Sequence, residues 1–190
     1  MNYKIEHLFS SPIYASKVND TEVVNYEIDK IIDKVDFHFK QHSHFLSTFD
    51  FEENILERYK IKYLSKEIDR HLRKYCDELG FKTRDYKLVS WFSKFEPKNY
   101  AHMHHHGHAD ISGCYYYKTN EVDGSIFFKS PNPHLGTSEC YSKVNNTWIH
   151  PPAIGKIILF PGWLLHGVKI NETHNTRISV SFNIFFKYHK

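Results

Sequence analysis

Between Tyr86 and Phe186 the chain is cut into short β-rich runs, and each run ends at a turn signal. Lys87 to Phe95 stops at Glu96-Pro97-Lys98-Asn99, and Ser112 to Lys118 stops before Glu121 to Gly124. Ser125 to Lys129 leads into Pro131 and Pro133, Trp148 and Ile149 into Pro151-Pro152, and Gly155 to Phe160 into Pro161-Gly162. Gly and Pro punctuate local structure, and runs spaced at roughly eight to twelve residues read as strands. The last run, Thr176 to Phe186, alternates. Arg177, Ser179, Ser181 and Asn183 fall on one side; Ile178, Val180, Phe182 and Ile184 fall on the other. Many short strands that must each bury a face predict a β-sandwich or jelly roll, with a smaller closed barrel as the second arrangement.

The first half has a different texture. Ile5 to Val18, broken by Ser10-Ser11-Pro12, predicts an edge strand. Asn19 to Glu22 offers capping residues, and the apolar spacing that follows predicts a helix over 21–36. Residues 37–50 read as a loop whose His38, His42 and His44 lie at the surface. A longer helix is expected from Glu52 to Leu79, broken near its start, with Leu64, Ile68, Leu72, Tyr75 and Leu79 as its apolar stripe. Gly80 then stands at C′. The fold class is therefore α+β, with N-terminal helices packed on one face of a jelly roll. The expected layout is a single domain over 1–190, with a strand and supporting helices over about 1–85 and a β core over about 86–187.

Composition excludes several classes. Aromatic residues make up 16% of the chain, too many for a disordered segment. A net charge of +3 gives no sign of a nucleic-acid partner. The cysteines Cys76, Cys114 and Cys140 are odd in number and form no CxxC, so a disulfide framework is not expected. The start has no signal-peptide pattern, and no apolar run reaches membrane-spanning length. A cytoplasmic protein without membrane association is the expectation.

The chemistry is concentrated in His102-Met-His104-His105-His106-Gly-His108-Ala-Asp110. Imidazole and carboxylate are ligands for divalent transition metals. On a strand, His102, His104 and His106 share a face, so His104-x-His106 can grip one ion; His106-x-His108 and His108-x-Asp110 are further pairs. Two distant features join this stretch. Phe160-Pro161-Gly162-Trp163-Leu164-Leu165-His166 ends a buried strand and delivers a histidine into a short turn. Arg177-x-Ser179 lies eleven residues beyond His166 on the polar side of the last strand. There Arg177 can hold a carboxylate through two parallel hydrogen bonds, and Ser179 can add a hydroxyl. The aromatics Trp91, Phe95, Tyr116 and Trp163 are candidates for pocket walls as well as for core. Residues 130–146, with Pro131, Pro133 and Gly136, read as a long loop of the kind that covers active sites.

In their order, His104-His105-His106, Ser112-Gly113-Cys114-Tyr115-Tyr116, Phe160 to Val168 and Arg177 to Asn183 resemble the 2-oxoglutarate/Fe(II)-dependent oxygenases. The resemblance is to a small branch from bacteria and phages and, more distantly, to prolyl hydroxylases; it covers about residues 86–186. It implies a double-stranded β-helix, with Fe(II), 2-oxoglutarate and O₂ as cofactors. It also implies an unidentified substrate hydroxylated with release of succinate and CO₂. By carry-over, His104 and His166 are iron ligands, and Arg177, Ser179 and Tyr116 bind the far carboxylate of 2-oxoglutarate. Where the wider family has His-x-Asp/Glu, this chain has His106. The third ligand is then His106, or Asp110 from further on, or His108-x-Asp110 is the motif instead. A peptide side chain, a nucleobase, a sugar or a small metabolite fits as substrate. Two other readings remain: a cupin-like metalloprotein that does not use 2-oxoglutarate, and a non-catalytic jelly-roll module.

Overall fold

The computed structural model describes residues 10–39, 44–50, 53–132, 134 and 146–187. The chain opens with β1 (Tyr14–Lys17), α1 (Thr21–Asp29), a 3₁₀ turn (Ile32–Lys34), β2 (His38–Phe39), β3 (Leu46–Ser47), α2 (Ile55–Arg58) and α3 (Lys62–Glu78). The strand-rich half follows with β4 (Tyr86–Phe95), β5 (Ala101–His104), β6 (Ile111–Lys118) and β7 (Ile126–Lys129). It ends with β8 (Thr147–His150), β9 (Lys156–Pro161), β10 (His166–Val168) and β11 (Arg177–Phe186).

The helices begin and end where local chemistry dictates. The Asp20 carboxylate accepts from the backbone N–H of Val23 at 3.0 Å and starts α1. Asn54 caps α2 in the same way through Leu56. Lys60, in the left-handed region at φ 56°, separates α2 from α3. Gly80, at φ 81°, closes α3, with Gly80 N–H donating to the Asp77 carbonyl and Phe81 N–H to that of Cys76. The expected helix over 21–36 is shorter. Ile31 leaves helical geometry at φ −125°, and the last turn tightens to 3₁₀ before Val35 becomes extended. Leu79 is the C-cap of α3 and is exposed, not a member of its buried stripe.

The strands form two antiparallel sheets. The larger runs β1-β9-β6-β11-β4-β3-β2 and the smaller β5-β10-β7-β8. This is the double-stranded β-helix arrangement, with β1 on an edge as expected. Residues 37–50, read as a loop, instead contribute the short strands β3, paired on β4, and β2 at the edge. Strand parity divides the core in two. Phe92, Ile111, Tyr115, Ile157, Leu159, Ile178, Val180, Phe182 and Ile184 face outward and pack on Val24, Ile28, Leu64, Ile68, Leu72 and Tyr75 of the helices. Cys114, Tyr116, Ile158 and Phe160 face the smaller sheet, where they meet Ile126, Phe128 and Leu164. The helices thus cover one face of the larger sheet, and its other face is left to build a site. Ile5, Leu8, Phe9, His42, Cys140 and most of the loop expected over 130–146 lie outside the described residues.

Candidate active site

Between the sheets lies a cavity of about 680 Å³. Its floor is made by small side chains on three adjacent strands: Ser47 of β3, Ser93 of β4, and Ser179 and Ser181 of β11. The Ser93 and Ser181 hydroxyls lie 3.2 Å apart. Where larger side chains would fill a sandwich core, serines leave space. Phe45, Phe49, Val89, Trp91 and Phe185 form an apolar wall, with Phe49 edge-on to Trp91 at 4.7 Å between ring centroids.

Three histidines converge on this cavity. His166 starts β10 and pairs in register with His104, the last residue of β5. Two residues beyond His104, His106 opens a turn that Ala109 N–H closes by donating to the His106 carbonyl at 3.2 Å, with Gly107 at φ 58° within it. One nitrogen from each of His104, His106 and His166 lies within 4.8 Å of the others. The turn is held against the β9–β10 connection, where His106 N–H donates to the Gly162 carbonyl at 2.9 Å. Gly162 permits this approach because a Cβ there would sit 2.0 Å from the Ala109 carbonyl oxygen. Two tautomers are fixed by the backbone. His166 Nδ1–H donates to the Leu164 carbonyl at 2.8 Å, and His104 Nδ1–H to that of His102 at 2.7 Å. Each keeps a lone pair at Nε2. Burial, then the neighbouring His104 and His105, hold His106 down to about 3. His166 is likewise held well below the usual range, by burial first and then by His104 and His106. His104 retains exposed surface, and its shift in the same direction comes from the protein crowded around its ring. All three are neutral at pH 7, the form that ligates metal.

Arg177 lines the same cavity and is 2% exposed. Its guanidinium carbon lies 4.0 Å from the Phe95 ring centroid, and Nη1–H donates to the Gly124 carbonyl. Its Nε is buried without a hydrogen-bond partner among the described residues. Burial lowers its pKa, opposed by Tyr116, Cys114 and Asp123. Ser179 and Tyr116 are register partners beside it, both buried, and both line the cavity. Burial and the adjacent Cys114 thiol push the Tyr116 hydroxyl far above its ordinary range, so it stays protonated.

Several expectations are redrawn by this geometry. His102 does not share a face with His104. The register between β10 and β5 slips, so one residue of β10, Gly167, stands opposite two of β5, His102 and Met103. That bulge puts Ala101 and His104 on the cavity and turns His102 outward. Asp110 is not among the converging residues; its carboxylate accepts from Phe186 N–H at 2.8 Å and it lines a different groove. His108 lines the cavity without joining the cluster. His166 sits on a strand and not in a turn. Trp91, Phe95 and Tyr116 line the cavity, while Trp163 is exposed. His44 is exposed, as expected, but stacks on Tyr100 at 4.4 Å. Sequence reasoning missed Phe45 and Phe49, which lie in a stretch without periodicity. It placed Asn183 on the polar side of the last strand, as a pocket wall, but not beside His106, which its amide meets at 3.2 Å.

Three neutral imidazoles with converging nitrogens suit a divalent transition metal. A buried guanidinium with an unpartnered Nε suits a carboxylate. The residues present therefore fit both an iron ion and a dicarboxylate.

Comparisons agree. Residues 89–183, half of the chain, match the family described as "Putative 2OG-Fe(II) oxygenase". A search of curated proteins finds no match. HygX from Streptomyces hygroscopicus, solved with nickel and 2-oxoglutarate bound, superposes with a TM-score of 0.67 at 12% identity over 94% of this chain and 84% of its own. A Trichoplax adhaerens prolyl hydroxylase, in complex with a hypoxia inducible factor peptide fragment, gives 0.67 at 13% identity over 94% and 85%. A Pseudomonas putida prolyl-4-hydroxylase gives 0.65 at 11% identity over 95% of each chain. These likenesses establish the fold, and the family match establishes the chemistry: the chain belongs to the 2OG-Fe(II) oxygenase family, with Fe(II) and 2-oxoglutarate as its cofactors.

Proposed function

We propose that the chain is a hydroxylase acting on an uncharged apolar or aromatic group. In this reading His104, His106 and His166 hold Fe(II), and Arg177, with Ser179 and Tyr116, holds the far carboxylate of 2-oxoglutarate. The observation that carries the reading is one cavity lined both by three converging neutral histidines and by a buried arginine with an unpartnered Nε. Bound together, iron and 2-oxoglutarate supply the oxidising chemistry, in which O₂ is consumed, succinate and CO₂ leave, and one oxygen atom goes to the substrate.

The protein's contribution is position and polarity. Three neutral donors leave the charge of a divalent ion uncompensated, which favours an anionic chelator beside it. Arg177 neutralises the other end of that chelator in a setting that excludes competing water. Tyr116, kept protonated by burial, donates and does not repel. Among the described residues, Arg177 is the only lining side chain with a formal charge, so a charged substrate group would enter unpaired. Phe45, Phe49 and Trp91 offer rings and edges to an apolar one.

Anaerobic titration with Fe(II), with and without 2-oxoglutarate, tests the site. A weak visible charge-transfer band should saturate near one equivalent of iron and disappear in His166→Ala. Arg177→Ala should keep iron binding and need at least about 30-fold more 2-oxoglutarate, the effect of leaving a buried carboxylate unpaired. Unchanged cosubstrate demand in Arg177→Ala would remove its role. Iron binding without the band would favour the cupin-like alternative.

A further inference from the structure

Behind the histidine cluster runs a hydrogen-bond chain whose far end, at Asn183 and Ser112, is buried. His166 Nδ1–H is committed to the Leu164 carbonyl, so His166 Nε2 is an acceptor; it faces His106 Nε2 at 3.2 Å. His106 Nδ1 accepts from Asn183 Nδ2–H at 3.2 Å. Asn183 Oδ1 in turn accepts from the Ser112 hydroxyl at 2.8 Å. Ser112 is 1% exposed and Asn183 6%, so bulk water does not replace these bonds. The chain is consistent throughout with a proton on His106 Nε2. His104 and His166 have their tautomers fixed by backbone carbonyls, which accept in one sense only. His106 alone is backed by a side-chain amide, which offers an acceptor at one end and a donor at the other.

We propose that Asn183, supported by Ser112, is the positioning residue for His106, and that its amide turns over when His106 ligates a metal through Nε2. The inference rests on the reading of His104, His106 and His166 as an iron site. A metal at Nε2 needs the lone pair there, so the single ring proton moves to Nδ1. Nδ1–H then needs an acceptor, and a half-turn about the Asn183 side-chain amide presents Oδ1 to it. The same half-turn aims Nδ2–H at the Ser112 hydroxyl oxygen, so the Asn183–Ser112 pair is kept. Imidazole ligands usually direct their second N–H at a carboxylate, a carbonyl or water. Asn183 supplies that carbonyl from a neutral group, and so leaves the charge of a three-histidine site unchanged.

The test uses Co(II), whose visible absorption reports binding without turnover, on the full chain and three variants. Asn183→Leu removes both ends of the amide and should weaken Co(II) binding about 10- to 100-fold. Asn183→Asp retains an acceptor for Nδ1–H and should bind at least as tightly as the parent. Ser112→Ala should weaken binding by less than Asn183→Leu. In ¹⁵N-histidine spectra of the Zn(II)-loaded parent, the His106 proton should sit on Nδ1, assigned by its loss in His106→Gln. Circular dichroism and thermal melting of each variant without added metal serve as the control for folding. Parent-like affinity in a folded Asn183→Leu, equal weakening in Asn183→Leu and Asn183→Asp, or a proton retained on His106 Nε2 would each overturn the proposal. A parent that binds neither Co(II) nor Zn(II) would overturn the iron-site reading itself and this inference with it, an outcome visible before any variant is made.

Discussion

His71 lies in the middle of α3, 1% exposed, between two polar neighbours. Its Nε2 accepts from Arg70 Nη2 at 2.7 Å and its Nδ1 lies 2.7 Å from the Tyr14 hydroxyl, which ties β1 to the helix layer. Burial, then the Arg70 charge, lower its pKa from 6.5 to about 4. The unfolded chain therefore binds a proton below about 6.5 that the folded chain refuses until about 4. Stability is fully present above that window and is lost as pH falls through it, and the lowered values of His104, His106 and His166 act in the same direction. Urea midpoints should fall from pH 7.5 to pH 5, and His71→Gln should show the shallower fall; equal slopes would acquit His71. At this scale the sequence was legible where chemistry alone marks a residue. Arg177 stood out as a cation on a strand face otherwise carrying only neutral polar groups. Asn183 stood on that same face but could not be told from Ser181, because its meaning depends on a histidine 77 positions away.

Elements were readable in proportion to their length and their two-sidedness. Strand β11 alternates over eight of its ten residues because one face packs on helices and the other lines the cavity, so both faces are specified. Strand β10 has three residues and no period to read, although it carries His166. The bulge in β5 was equally hidden, since an inserted residue leaves no mark on composition yet reverses which histidine faces in. The turn against which His106 rests makes the clearest prediction here. Gly162→Ala would drive a methyl into the Ala109 backbone, so the 105–110 segment must move away from β9 and take His106 with it. Metal affinity should drop together with stability, the latter by about 1–3 kcal/mol. A variant with parent-like Co(II) binding would show that the turn is not what sets His106.

For the whole molecule, two layers were legible from texture alone: helices first, strands after, and apolar parity on both. Strands β2 and β3 were not, because they are two residues each and exist only by pairing, β3 on β4 and β2 on β3. The iron site as read here joins His104 and His166 of the smaller sheet to the turn carrying His106, while Arg177 belongs to the larger. Ligands that bind only when the sheets face each other stabilise the folded state by mass action. Ni(II) with 2-oxoglutarate at about one hundred times its dissociation constant should contribute about 2.7 kcal/mol, raising Tm by roughly 5–10 °C for a chain of this size. A melting temperature unmoved by both together would mean that the pair does not bind between the sheets.

The serine floor has a consequence of a different kind. The cavity floor is lined by the small side chains of Ser47, Ser93, Ser179 and Ser181, and the opposite faces of β4 and β11 join the core built with the helices. Replacing Ser93 with a larger residue would reshape the chamber at the cost of its hydroxyl contact with Ser181, whereas Ser47 also donates to the Phe92 carbonyl and accepts from Phe49 N–H, so a change there would disturb the wall as well. The floor can thus be varied at Ser93 without replacing any of the histidines or the arginine. A lineage of such chains has room to diversify its targets by single substitutions on one sheet face, and a protein engineer has the same few positions from which to start.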